Sequence, residues 1–320
     1  MEDAIAITSN NKIHHIFQFD PKVGEWIFPE TMKYPLIWDR FDTSDRVDVI
    51  VENDKVFIFD SYYDIYDNGT KHRVIVLEPK SGRWEQHILP HNRGVESVTV
   101  IGGKIYIVGG RNQSEGPELQ ILAIDLDNNR SESLASMSCA RENPGVISHD
   151  GKIFVFGGMP PLNSEDQREL TSCEVYHVKE NRWETIADMP TRRKYVSVTE
   201  LHGKLYVIGG HYEADNVWNN NSYAVECYDP EKNIWESLPD MELEKYGEAP
   251  AIGFNGKLFV GGGEREFDEN DEENNKPYEW DHIETLNIRT SQWILNEVED
   301  EGPYIKNMYV MHRKYLPKEL

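Results

Sequence analysis

The chain has 320 residues, with 57 Asp and Glu against 33 Lys and Arg, and a formal net charge of −24. That balance argues against nucleic acid or an anionic membrane as partner, since both demand a basic surface, and it would draw basic partners in. No long apolar run offers a membrane-spanning helix, and the acidic opening MEDAIAITSNN lacks the basic start and apolar core of a signal peptide.

Taken in order, AIAITSN (4–10) reads as one strand, Ile16–Asp20 as the next, and a third carries Trp26. Then one short phrase recurs: NDKVFIFDS (53–61), GGKIYIVGG (102–110), DGKIFVFGG (150–158), HGKLYVIGG (202–210) and NGKLFVGGG (255–263). Its aligned lysines, Lys55, Lys104, Lys152, Lys204 and Lys257, are 49, 48, 52 and 53 residues apart. Self-similarity at that period signals a repeat architecture. A second phrase keeps step, a strand and turn that reach Trp26, Trp84, Trp183, Trp235 and Trp293, with Ser131 where a sixth Trp is due.

Each unit predicts four antiparallel strands. A stretch such as VESVTVIG (95–102) alternates as a strand. GGK or DGK turns it tightly, because these residues accept positive φ. IYIV continues as a buried strand, and the Gly-Gly pair lets another backbone pass closely. Third strands follow at Leu119–Asp125, Cys173–Val178, Tyr223–Tyr228 and Ile283–Ile288, each leading to the Trp-bearing fourth. A sheet hydrophobic on both faces cannot stand alone, and radial stacking buries both, with Trp filling the wedge. The first unit lacks its first strand, and NMYVMHRKYLPKEL (307–320) fits the vacancy. Pairing the two chain ends would remove two free edges and close a ring of six. The expectation is one domain over 1–320.

These residues carry a resemblance. GKLYVIGG followed by YDPEKNIW, with Gly209, Gly210, Tyr228 and Trp235 in place, is similar to the kelch repeat. The resemblance implies an all-β fold, a six-bladed kelch β-propeller with four antiparallel strands per blade, its ring closed by the C-terminal strand on the N-terminal blade. The second unit departs from it, with Asp60-Ser61 replacing the glycines.

Function must be argued from the site and not from the fold. The residue after the glycine pair is Asn10, Tyr62, Arg111, Met159, His211 or Glu264. The residue two beyond the repeat's Arg is Arg46, Val95, Asn143, Tyr195, Glu248 or, closing the first unit, Ile305. In metazoan kelch-like proteins, which this chain resembles, these positions line the face that binds a partner peptide. The candidate partner-binding residues are therefore Arg46, Tyr62, Arg111, Asn143, Tyr195 and His211, joined by Tyr63, Tyr212 and Trp218 as aromatic anchors in long loops. For Trp218, packing within its own loop is an equal reading. The repeat's own Arg93, Arg141 and Arg193 are read as serving the fold, since a repeated residue more often supports the repeated structure.

The resemblance implies a protein-interaction module and not an enzyme, without cofactor or metal. It would bind a protein or peptide, a basic one suiting the charge, as substrate-recognition part of a cullin-type ubiquitin ligase adaptor wherever a BTB domain is attached. A metal-dependent kelch enzyme and an actin-binding kelch protein remain alternatives. The acidic runs EREFDENDEE (264–273) and EVEDE (297–301) read as solvated loops, with metal at the first left open. Three widely spaced cysteines, Cys139, Cys173 and Cys227, match neither a metal site nor a disulfide framework. They fit reduced core positions in a cytoplasmic protein.

Overall fold

The computed structural model of the chain describes residues 2–10, 13–20, 25–27, most of 47–242, 249–261, 282–297 and 305–312. The fold is an all-β propeller. Among the described residues, five four-stranded antiparallel sheets are each cut from one run of chain. The first holds β4 (Val47–Glu52), β5 (Lys55–Asp64), β6 (Gly69–Glu78) and β7 (Arg83–Ile88). The next holds β8 (Val98–Ile101), β9 (Lys104–Ile107), β12 (Gln120–Asp125) and β13 (Arg130–Ser136), with the small ribbon β10 (Arg111–Asn112) and β11 (Gly116–Pro117) between its middle strands. Then come β14 (Gly145–His149), β15 (Lys152–Phe156), β16 (Cys173–His177) and β17 (Arg182–Ile186). They are followed by β18 (Ser197–Leu201), β19 (Lys204–Ile208), β22 (Val225–Asp229) and β23 (Ile234–Ser237), with the ribbon β20 (His211–Ala214) and β21 (Val217–Asn221) inserted. The fifth is β24 (Ala251–Phe254), β25 (Lys257–Gly261), β26 (His282–Asn287) and β27 (Gln292–Glu297). A further four-stranded sheet is composite: β1 (Glu2–Asn10), β2 (Ile13–Asp20) and β3 (Glu25–Ile27) are joined by β28 (Ile305–His312), whose Tyr309 lies opposite Ile5.

The repeated phrase builds each sheet as its chemistry requires. The hairpins between first and second strands turn through Asp150-Gly151, His202-Gly203 and Asn255-Gly256, all six residues at positive φ. This is the primed turn that matches strand twist. The core is a series of layers between consecutive sheets. Phe154, Phe156, Val175 and Ile186 of one sheet pack with Leu205, Val207 and Tyr228 of the next. Leu201, Tyr206, Ile208 and Cys227 pack in turn with Leu258, Val260 and Leu286. Fully burying one such side chain contributes roughly 1.5–3 kcal/mol.

Two periodic polar contacts stitch neighbouring sheets, and a third braces them from within. Trp183 donates its indole N–H to the carbonyl of Ala135 in the preceding sheet (2.8 Å), and Trp235 does the same to Ala187 (2.8 Å). Asn181 and Asn233, both at positive φ, use their Oδ1 to accept the N–H of those same alanines, at 2.9 and 2.7 Å. Tyr176 and Tyr228 steady the amides by donating to them. Ala135 and Ala187 are thus each held by both backbone polar groups, at or just beyond the end of an outer strand. Trp84 departs from the expected wedge-filling role, since it stays 40% exposed.

At two of its three positions the repeat's Arg is structural, as expected, while Arg93 lies outside the described residues. Arg141 and Arg193 are fully buried. Arg141 donates to the carbonyls of Gly157 and Ser172 (both 2.8 Å) and to Glu174 (2.7 Å). Arg193 repeats this with Gly209, Ala224 and Glu226. The second glycine of two of the pairs is equally constrained. A Cβ on Gly158 would stand 2.7 Å from the carbonyl of Glu142, and one on Gly210 would stand 2.5 Å from that of Lys194.

Two segments expected as loops are largely paired strand. Where Asp60-Ser61 replaces the glycines, nothing breaks β5, and it runs on to Asp64 against β6. Residues 211–214 and 217–221 form the β20–β21 ribbon. Cys173 and Cys227 are buried in the core, and Cys139 is half-buried.

Candidate functional site

In each sheet the start of the first strand meets the end of the second, as in Gly145 opposite Phe156 and Ser197 opposite Ile208. The residues before the one and after the other therefore share one end of the sheet. Backbone bridges make the meeting explicit. Glu142 and Met159 exchange two hydrogen bonds (2.8 Å each), and Lys194 and His211 do likewise at 3.0 and 2.8 Å. The two sets of recurrent positions are thus neighbours, on the long-connection end opposite the tight turns.

The structure brings four of the nine candidates into one junction. Tyr195 N–H donates to the carbonyl of Asn143 in the preceding sheet (3.0 Å). Both residues hold positive φ, 54° and 48°, a strained choice for tyrosine. The Tyr195 ring meets His211 edge-on at 5.6 Å, and the Lys194 ammonium lies 5.9 Å above the same ring. Tyr212 follows His211 on β20. His211 is buried, while Tyr195, Tyr212 and Asn143 are half-buried. Tyr212, expected as an exposed anchor, is thus partly covered. Tyr62 and Tyr63 lie on β5, opposite Lys71 and Thr70 on β6. Arg111 lies on β10 and Trp218 on β21. Arg46 and the acidic run 264–273 lie outside the described residues.

Sequence reasoning missed the polar residues around this junction. Glu169, in the connection between β15 and β16, is 1% exposed and accepts the N–H of Glu213 on β20 (3.1 Å). Its other oxygen is 3.6 Å from Lys194 Nζ. Outside it, Arg168 and Arg192 converge on Asp166, and the hydrogen bonds from Arg168 hold the Asp166 carboxyl down to about 2. None of these residues recurs with the repeat, so periodicity carried no signal of them. Among the described residues, no three His, Cys, Asp or Glu side chains converge in a way that could hold a metal.

The comparisons with known proteins follow the same architecture. Residues 95–311 match the KLHDC2/KLHL20/DRC7 Kelch-repeats domain. The chain belongs to the kelch-repeat family. Kelch-like protein 25 of Xenopus tropicalis is 24% identical over 224 residues, 68% of this chain and 35% of that protein. Beta-scruin of Limulus polyphemus is 28% identical over 182 residues, 53% of this chain and 19% of that protein. The chain therefore spans about a third or less of the length of these kelch relatives. The solved structure of YjhT shares the fold, with a TM-score of 0.63, 11% identity, and coverage of 92% of this chain and 97% of that one.

Proposed function

We propose that this kelch chain is a protein-interaction module and not an enzyme, binding a partner protein or peptide on the long-connection end of its sheets. The observation that carries the reading is the Tyr195–His211 junction. Two recurrent, non-structural positions meet there at a boundary between sheets, held by backbone bridges and furnished with aromatic and cationic groups. Rigidly held Tyr side chains and cations are the residue types that concentrate binding energy, and a preorganised face spends little on ordering. Kelch family membership supports the reading. With it we propose a closed six-bladed ring spanning 1–320 as one domain, in which the composite sheet is the sixth blade. We further propose that Arg46, Tyr62, Tyr63, Arg111 and Trp218 extend the face around the channel.

The net charge of −24 supports a basic partner, whose encounter would be steered and salt-sensitive. A role as the recognition part of a cullin-type ubiquitin ligase adaptor in the cytoplasm is proposed for a polypeptide in which the propeller is joined to a BTB domain.

Affinity capture from the source's own cell extract tests the reading. Wild type is compared with the folded triple variant Tyr195→Ala, His211→Ala, Tyr212→Ala and with a tight-turn-end control, Lys104→Ala, Lys152→Ala. A protein retained by wild type and control but lost by the triple variant is the expected result. Identical profiles for all three would move the site off this face.

A further inference from the structure

The ribbon β20–β21 carries Tyr212 and Trp218, yet it is a two-stranded insert that pairs with neither sheet along its length. Such a hairpin is marginal by itself. Its attachment to the body runs along one edge of β20. His211 donates its N–H to the carbonyl of Lys194 at 2.8 Å. Two residues on, on the same edge by strand alternation, Glu213 donates its N–H to the carboxylate of Glu169 at 3.1 Å. A side chain from the preceding sheet's connection thus continues the edge pairing that the Lys194 backbone begins. The contact falls where the ribbon's register shifts, between Tyr212 opposite Asn220 and Ala214 opposite Val217. Glu213 there faces both Trp218 and Asn219, and irregularities of this kind re-aim side chains.

Glu169 is unusually committed to this task. Its side chain is 1% exposed, and the second carboxylate oxygen lies 3.6 Å from the Nζ of Lys194, a side chain 14% exposed. Lys194 is in turn held over the Tyr195 ring. The backbone of this segment is anchored as well: Arg192 donates to the Glu169 carbonyl (3.1 Å), and Leu170 N–H donates to that of Gly158 (2.8 Å). A buried charge is tolerated only where such partners compensate it.

Building on the partner-binding reading, we propose that Glu169 is the positioning residue of the face. It locks the β20–β21 ribbon of one sheet to the connection of the sheet before it, so that Tyr195 and Tyr212 are presented, with the buried His211 supporting them, as one preorganised surface. The residue contributes by fixing others and need not touch the partner.

Amide hydrogen exchange of the full chain tests this without any partner, so its failure is distinct from failure of the binding reading. Loss of a hydrogen bond to a charged acceptor is expected to speed exchange at Glu213 about tenfold or more in E169A. Amides of β14–β17 should hardly change, and E169Q, which keeps an acceptor oxygen, should restore most of the protection. If E169A does not fold, E169D carries the test. It keeps the charge but withdraws the carboxylate by one methylene, and the same local acceleration is expected. Unchanged exchange at Glu213, or a rise shared equally by β14–β17, or E169Q behaving as E169A, would overturn the proposal.

Discussion

Arg193 shows how far a single side chain can be committed to the fold. Its guanidinium is fully buried and divides its N–H groups among the carbonyls of Gly209 and Ala224 and the carboxylate of Glu226, which is 2% exposed. Removing one member of a buried pair leaves the other charge uncompensated. R193M should therefore cost about 3–5 kcal/mol in urea unfolding, with R193M/E226Q recovering part of the loss because the stranded charge has gone. The structural role of the repeat's Arg was legible, since Arg141 and Arg193 stand at the same step of the period. Their acidic partners Glu174 and Glu226 were also in register, as CEVY and VECY. Glu169 was not legible, because it lies in a connection whose length and composition differ in every unit.

At the scale of the element, the glycines separate two kinds of constraint. Gly151 sits at a tight turn with positive φ and open space around it, whereas Gly158 combines φ of 96° with a neighbouring carbonyl that a Cβ would strike. G151A should cost about 1 kcal/mol, the conformational term alone. G158A should cost clearly more and lower the thermal midpoint further, since backbone must move as well. Equal costs would mean that close approach is not the reason for the second glycine. The same logic explains what the sequence misled about. The 62–72 and 211–222 segments look like loops by composition, but a connection leaving a strand with no glycine break keeps extending, as β5 does. Ribbon formation depends on cross-strand pairing within the insert, which no single-strand pattern reveals.

For the molecule as a whole, the layered cores make alkaline pH the direction of weakness. Burial pushes Cys173, Tyr176 and Tyr228 each up to about 12, from ordinary values of 9.0 for the thiol and 10.0 for the phenols. Groups whose pKa is raised by folding stabilise fully below the unfolded value, and that stability is lost as pH climbs through the folded one. Urea midpoints should hold to about pH 9 and fall steadily between there and pH 12. A flat profile across that window would mean these side chains are wetter than their burial implies. The pairing of β1 with β28 predicts a second global effect. Deleting residues 305–320 removes β28 and exposes β1 along the register that now faces it. The shortened chain should lose cooperative unfolding and tend to associate through the freed edge, as read by light scattering and circular dichroism.

The composite sheet also bears on how the protein comes into being. β1 and β28 are partners in space but far apart in the order of synthesis, with residues 11–304 made between them. At typical translation speeds of about 5–20 residues per second, β1 waits roughly 15–60 s for its partner. Throughout that interval the nascent chain carries an unsatisfied strand while the later units assemble behind it. A chaperone that shields this one edge on the ribosome would serve the molecule until β28 emerges.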